Sequence, residues 1–495
     1  MLETVTLPMW AVVVAGVLAM VAVLDRALLP SLRWANRVRR ERAIDQLNTR
    51  LRLRLRPFKL ARRSHLVGQL MLDPEILQTI EAEAARTGVS VTRTTALARG
   101  YAREIVPAFS ATAYFKIGIR LARTVSRSLY RILVGAADET ALSGVDPDAT
   151  VVFVINHRSN MDYVLVTYLA GRSSALSYAV GEWARIIGLQ SLIRAMGAYF
   201  IRRDSNNPLY RKVLARYVNF ATRSGVTQAV FPEGGLTRDG VLQGPKLGLL
   251  SYMVSDFDPA GPRDIVFVPV GLNYDRVLED RVQIAAAATA VGTRPRFKFN
   301  LWVFFRFLLR NTWQKLTGRW QSFGYAAVSF GNPVSLRRHV ANRGIDFRTL
   351  REPQRGAEIA RLGGRLMAEV GRVVPALPVS LVAHVLLADD GTGLSTLEVK
   401  GRVFSLMERI RGAGGQVPIP RLEQEAAVEA GLGALRLRRL ADSRGGLHHA
   451  NPRERHLLGY YANSIGHLLD APPWPVIASP GSPSPVSDRG VTAPG

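Results

Sequence analysis

The stretch "VVFVINHRSNMDYVLV", residues 151–166, breaks an apolar run with Asn156, His157, Arg158, Ser159, Asn160, Met161 and Asp162. An imidazole and a carboxylate five positions apart, at the end of a strand-like run, can work as a pair. The carboxylate on one ring nitrogen fixes the tautomer and stabilises the imidazolium, and the other nitrogen is free to take a proton from a hydroxyl. No serine nucleophile accompanies them in the block, so the attacking hydroxyl can belong to the substrate. Taken alone, the spacing suits a capping or core histidine better. Ser159 and Asn160 are good helix N-caps without any other role.

Three further blocks end extended runs in the same way. "GAYFIRR", residues 197–203, sets Arg202 and Arg203 at a strand end, an arrangement that suits a phosphate or a solvated basic turn. "FPEGGLTRDG", residues 231–240, puts Glu233 before Gly234 and Gly235, where backbone N–H groups can approach a ligand closely. Glu233 could accept from substrate hydroxyls, and Thr237 and Arg238 could add phosphate contacts; a loop of exposed charges is the alternative. "VFVPVGLNY", residues 266–274, carries Pro269, expected at a strand margin.

These blocks need a scaffold. "TVVFVIN", "SYAVGE", "GAYFIRR", "TQAVFPEGG", "DIVFVPVGLNY" and "YAAVSFGNPVSL" read as buried strands alternating with helical stretches. That pattern predicts an α/β fold, a central, mostly parallel sheet covered by helices, with ligands beyond the strands' carboxyl ends. Residues 73–133 read as mostly helical, with "FKIGIRLARTVSRSLYRIL" as one amphipathic helix. The stretch from 346 to 469 reads as helical again. The expected divisions are 1–30 (membrane anchor), 31–140 (basic juxtamembrane and helical region), 141–345 (α/β domain), 346–470 (helical region) and 471–495 (disordered tail). "LWVFFRFLLRNTWQKLTGRW", residues 301–320, fits an interfacial or a buried helix.

The 495 residues carry 65 Lys+Arg against 39 Asp+Glu, a net charge of +26, which implies an anionic partner. Leu7–Leu24 is eighteen residues without a charge, long enough for a transmembrane helix. Glu3 precedes it and no Ala-x-Ala follows, which favours a retained anchor over a cleaved signal peptide. Thirteen Lys/Arg and two acids lie between Arg26 and Arg63, so the expected location is the cell membrane, single-pass or peripheral, with the catalytic domain on the cytoplasmic side. An anionic phospholipid membrane then accounts for much of the charge. "RLRLRLRPF", residues 50–58, alternates as an edge strand or a strand on lipid would. No nucleic-acid motif is present, and no nucleic-acid partner is expected. The absence of cysteine excludes disulfides, thiolate metal sites and a cysteine nucleophile. "LHHA", residues 447–450, lacks zinc spacing, and no metal or cofactor is expected.

In this order, "NHRSNMD", "GAYFIRR", "FPEGGLTR" and "VPV" resemble the four motifs of the glycerolipid acyltransferases, and His-Arg-Ser-x-x-Asp with Ile-Arg-Arg resembles the glycerol-3-phosphate and dihydroxyacetone-phosphate branch. "FGNPVSL", "LPVSLVAHVLL" and "LGYYANSIGHLL" extend the resemblance over roughly residues 110–470. It implies acyl transfer from acyl-CoA or acyl-carrier protein to the sn-1 hydroxyl of glycerol 3-phosphate. His157 would be the base and Asp162 its orienting partner. Arg158, Ser159, Arg202, Arg203, Glu233, Gly234, Gly235, Thr237, Arg238 and Pro269 would bind or shape the substrate site. In the third motif Leu236 stands where an arginine is usual, and Thr237 replaces serine, which leaves dihydroxyacetone phosphate or a lysophospholipid as alternative acceptors. A membrane-tethered binding protein without activity is the alternative from another class.

Overall fold

The computed structural model describes residues 63–135, 139–170, 176–181, 189–202, 206–288, 323–470 and 474. Leu7–Leu24, residues 50–58, 301–320, Arg203, most of the basic stretch and the tail from 475 onward lie outside them. Among the described residues no helix is long and apolar enough to cross a membrane.

Helices α1 (Arg63–Met71), α2 (Pro74–Thr87) and α3 (Val91–Ile105) come first, and a π-helical turn at Ala113–Gly118 runs into α4 (Ile119–Leu129). Then follow β1 (Arg131–Val134), α5 (Glu139–Ser143), β2 (Thr150–Ile155), α6 (Met161–Ala170), β3 (Ser177–Val180), α7 (Leu189–Ala195) and β4 (Tyr199–Phe200). Next come α8 (Pro208–Arg223), β5 (Gln228–Val230), α9 (Gly248–Val254), β6 (Ile265–Tyr274), α10 (Asp280–Ala288), β7 (Tyr325–Phe330), β8 (Val334–Ser335) and α11 (Leu336–Arg343). The last part holds α12 (Gln354–Val373), α13 (Pro378–Leu387), α14 (Thr396–Gly412), α15 (Gln424–Leu437), the hairpin β9 (Ala441–Arg444) and β10 (Leu447–Ala450), and α16 (Arg455–Asn463).

The sheet runs β1-β7-β6-β2-β5-β3-β4, with β8 also on β6. Strands β6, β2, β5, β3 and β4 are mutually parallel, whereas β7 and β8 run antiparallel to β6, so the sheet is mixed. Every residue of β2 is buried, because helices cover both faces. Val151, Phe153 and Ile155 enter one core; Val152 and Val154 enter the other. The parallel strands place the ends of β2, β4, β5 and β6 along one edge, where the four sequence blocks fall.

The structure departs from the expected divisions in three places. The helix read through Leu133 stops at Leu129; Tyr130 is extended (φ −128°, ψ 154°), and Arg131–Val134 pairs with β7. The sheet therefore begins before residue 141. The stretch 346–470 contains a hairpin, β9–β10, turned by Gly445 (φ 57°) and Gly446 (φ 81°). That stretch is also no separate layer. Helix α12 buries Leu362, Leu366 and Val370 in the core with Val152, while α13, α15 and α16 bury Leu381, Leu432 and Leu458 with Phe153. The chain crosses between faces just after Val373, above Gly271, where a Cβ would come within 2.3 Å of the Val373 carbonyl oxygen.

Pro269 sits inside the ten-residue central strand β6, not at its margin. A strand residue points its nitrogen and carbonyl to the same side, and the Pro269 carbonyl accepts from Gly331 N at 2.8 Å. The nitrogen therefore faces the turn between β7 and β8, where no ladder bond is missing.

Asp275, just past β6, holds the crossing together. Its carboxylate accepts from Tyr325 N at 2.8 Å and from Val379 N at 3.0 Å, the latter capping α13, whose own N-cap Leu377 makes no side-chain bond. Burial outweighs these two N–H donors and pushes the Asp275 carboxyl up to about 7. A raised folded-state value means that between its unfolded value and about 7 the native chain holds the proton and the unfolded chain does not. This group's contribution to stability therefore falls as pH rises through that window and is flat above it. Denaturant melts at about pH 5 and about pH 8 should show wild type losing stability relative to Asp275→Asn as pH rises. A parallel loss in both chains would exclude Asp275 as the source.

Candidate active site

Helix α6 starts four residues after His157, and its first turn brings Asp162 back beneath the imidazole. His157 Nδ1 lies 2.9 Å from Asp162 Oδ2. The same oxygen accepts from Arg158 N at 2.7 Å and Ser159 N at 3.0 Å, while Oδ1 accepts from the Tyr274 hydroxyl at 2.7 Å. Both side chains are buried, at 2% and 0% exposure, so these donors replace the water the carboxylate has lost. An acceptor on Nδ1 selects the Nδ1–H tautomer and leaves a lone pair on Nε2. The ring lies against Phe231, with centroids 4.4 Å apart, and meets Tyr163 edge-on at 5.4 Å.

Two more carboxylates hold the backbone of this turn. Glu233 Oε1 accepts from His157 N at 2.7 Å and Oε2 from Gln243 N at 3.0 Å, so one side chain joins the first block to the third. Burial raises its pKa; those two N–H bonds and the nearby charge of Arg158 act the other way. Glu279 accepts from Ser159 Oγ at 2.7 Å and from Asn160 N at 3.3 Å. Burial raises its pKa too, and the Asp162 charge adds to the rise. Asn156 extends β2 by one step through its side chain. Its Nδ2 donates to Leu272 O at 2.9 Å and its Oδ1 accepts from Leu272 N at 2.7 Å.

Several residues expected on the substrate are turned inward instead. Arg158 is 2% exposed and donates to the carbonyls of Gly240 and Ser464 (3.1 Å to the latter). Ser159 is fully buried on Glu279 and accepts from Met161 N, as an N-cap does. Thr237 builds its own turn, accepting from Gly240 N at 3.0 Å and contacting Asp239 and Val241 O. Arg202 makes a bidentate pair with Glu104 of α3 at 3.0 and 2.6 Å, between the rings of Tyr101 and Tyr210. In each case a buried or half-buried polar group found a protein partner that the local sequence does not reveal. Pro269 lies deeper in β6, and its ring is what a side chain on Gly331 would meet, at 3.1 Å. Gly234 takes a positive φ of 69° beside Gly235, and Arg238 is exposed, with no bond or ion pair among the described residues.

Sequence reasoning missed Tyr274, Glu279 and Asn156. Tyr274 had a signal: a tyrosine closing a buried aliphatic strand needs a partner for its hydroxyl. Glu279 had none, because its distance from Ser159 is set by the whole of β6. Among the described residues no cluster of His, Asp and Glu could hold a metal ion.

Tyr274→Phe removes one of the donors to a buried carboxylate and should cost about 1.5–3 kcal/mol in unfolding free energy. An equilibrium melt within about 0.5 kcal/mol of wild type would deny the bond that role.

The chain matches the acyltransferase family model over residues 139–273 and the model of the glycerol-3-phosphate acyltransferase C-terminal region over 311–474. The first stretch holds the His157 block, Glu233 and most of β6; the second holds α12 to α16. Curated relatives bearing the name glycerol-3-phosphate acyltransferase include one from Pseudomonas fluorescens, 28% identical over 87% of this chain and 52% of its own length. Another, from Pseudomonas entomophila, is 26% identical over 87% of this chain and 53% of its own length. The chain thus spans about half the length of the curated relatives it matches. The solved 1-acyl-sn-glycerophosphate acyltransferase of Thermotoga maritima aligns at 16% identity over 62% of this chain and 97% of that one, with a TM-score of 0.29, too loose a superposition to bear on the fold. The chain thus carries an acyltransferase domain followed by a glycerol-3-phosphate acyltransferase C-terminal region, and the curated relatives it matches bear the name glycerol-3-phosphate acyltransferase.

Proposed function

We propose that the protein transfers a fatty acyl group from a thioester, acyl-CoA or acyl-carrier protein, to the sn-1 hydroxyl of glycerol 3-phosphate, giving lysophosphatidate. The observation that carries this reading is the buried His157–Asp162 pair at 2.9 Å, with Nδ1 engaged and Nε2 left as the base. Nε2 takes the proton of the acceptor hydroxyl while its oxygen attacks the thioester carbonyl. The imidazolium that results is stabilised by Asp162. Collapse of the tetrahedral intermediate expels the thiolate, which leaves with the proton from Nε2. No acyl-enzyme forms, and the acyl donor is the only other reactant the chemistry needs.

The names carried by the curated relatives support this acceptor. With Leu236 and Thr237 at the third block, dihydroxyacetone phosphate is the second reading of the acceptor and a lysophospholipid the third. An amphiphilic product, the charge of +26 and the basic stretch beside Leu7–Leu24 support work at an anionic membrane, with the site on its cytoplasmic side.

Membranes carrying the protein should release thiol from palmitoyl-CoA only when glycerol 3-phosphate is added. His157→Ala should lower that rate about 10²–10⁴-fold, the usual worth of a positioned base. Release with dihydroxyacetone phosphate alone would move the acceptor assignment to the second reading. Equal rates in the two chains would sink the role of His157.

Asp162→Asn presents an amide where the carboxylate stood and should cost a comparable factor in kcat, since Nδ1–H loses its anionic acceptor. Should kcat stay within about threefold in a folded variant, Asp162 would not be the orienting group.

A further inference from the structure

We infer that Lys246 supplies the cation for the acceptor's phosphate at the third block, where Leu236 offers none; this rests on the acyl-transfer reading above.

The lysine is fixed in the site by its backbone. Lys246 N donates to Pro232 O at 2.7 Å, which clamps residue 246 beside the end of β5, next to Glu233 and its bond to His157 N. Its side chain then runs across Gly234. A Cβ at Gly234 would lie 2.5 Å from Lys246 Cδ, 3.3 Å from Cε and 3.4 Å from Cγ. The methylene stem thus lies flat on a residue that has a positive φ, 69°, and no side chain.

The ammonium at the end of that stem has no ion pair or hydrogen bond among the described residues, and the residue is exposed. The acids beside it are engaged elsewhere. Glu233 holds His157 N and Gln243 N; Asp239 Oδ1 holds Val241 N and the Gln243 amide. Among the described residues Lys212 pairs with Glu75 and Lys400 with Glu425 and Glu429, whereas Lys116, far from this loop in sequence, is exposed and unpaired like Lys246. An unpaired cation, guided over a glycine into the loop that also holds the base's backbone, fits an anionic group on a small substrate. A phosphomonoester is that group here, since the glycerol backbone carries its phosphate only a few bonds from the hydroxyl that His157 must reach. Lysine binds such a dianion as a mobile point charge and not as a rigid fork, so it can reach the phosphate from a position other than 236.

The test uses the full chain and Lys246→Met, which keeps the stem and removes the charge. KM for sn-glycerol 3-phosphate should rise about tenfold to a hundredfold, the worth of one charge-assisted hydrogen bond. KM for palmitoyl-CoA and kcat should stay within about twofold. Adding Leu236→Arg to the Lys246→Met chain should bring the acceptor KM back down. An unchanged acceptor KM in Lys246→Met, with wild type active, overturns the assignment. Binding is read separately, as the rise in melting temperature with added sn-glycerol 3-phosphate. A rise in wild type that is lost in Lys246→Met supports the lysine even if no acyl transfer occurs, in which case the reaction proposed above fails and the phosphate site stands. The same rise in both chains, or none in either, overturns the site itself.

Discussion

A single buried carboxylate organises this end of the sheet. Asp162 gathers an imidazole, two backbone N–H groups and a phenol, drawn from two parts of the chain far apart in sequence. The two N–H groups belong to the turn between β2 and α6, so the acid shapes the loop that presents His157. The phenol belongs to the end of β6, so the acid also ties helix to neighbouring strand. A carboxylate without water is costly unless it is well surrounded by donors, and losing any one of these leaves a buried charge under-satisfied. The geometry around His157 is therefore set by the requirements of its partner.

The remaining acids of the site do a different job. Glu233 and Glu279 sit on opposite sides of the turn and engage backbone or hydroxyl donors, and burial raises both. The substrate-facing roles that composition suggests for such groups give way to construction. Arg158 follows the same logic with the opposite sign. Its guanidinium meets carbonyl oxygens, which hold it in place without neutralising it, and its charge tempers the burial of Glu233.

How much of this could be read from the sequence depends on the distance over which each feature is decided. The pairing of His157 with Asp162 was legible because five residues spanning a strand-to-helix turn must bring the two together. The strands β2, β5 and β6 were legible as apolar runs ending in charged blocks. The fate of Arg202 was not, because its partner Glu104 lies 98 residues away on α3 and either a ligand or a protein acid would suit the same guanidinium. Strand β1 was lost for a related reason: "SLYRILV" continues an amphipathic helix as well as it begins an edge strand, and only the free side of β7 decides. The β9–β10 hairpin did leave a local mark, Gly445–Gly446 between alternating residues, which the helical context on both sides obscured.

The Arg158 contact also has a bearing on how the protein comes into being. Ser464, whose carbonyl receives the guanidinium, is 306 residues further along the chain. Gly240 fits beneath α16 only because it lacks a side chain; a Cβ there would be 1.9 Å from Tyr460 O. A chain emerging from the ribosome can pair β2 with β5 and β6 long before α16 exists. Through that interval the histidine's turn lacks its last tether and the guanidinium its second acceptor. The turn of His157 is thus completed only once α16 has been made, and the sheet is a framework that waits for its clasp.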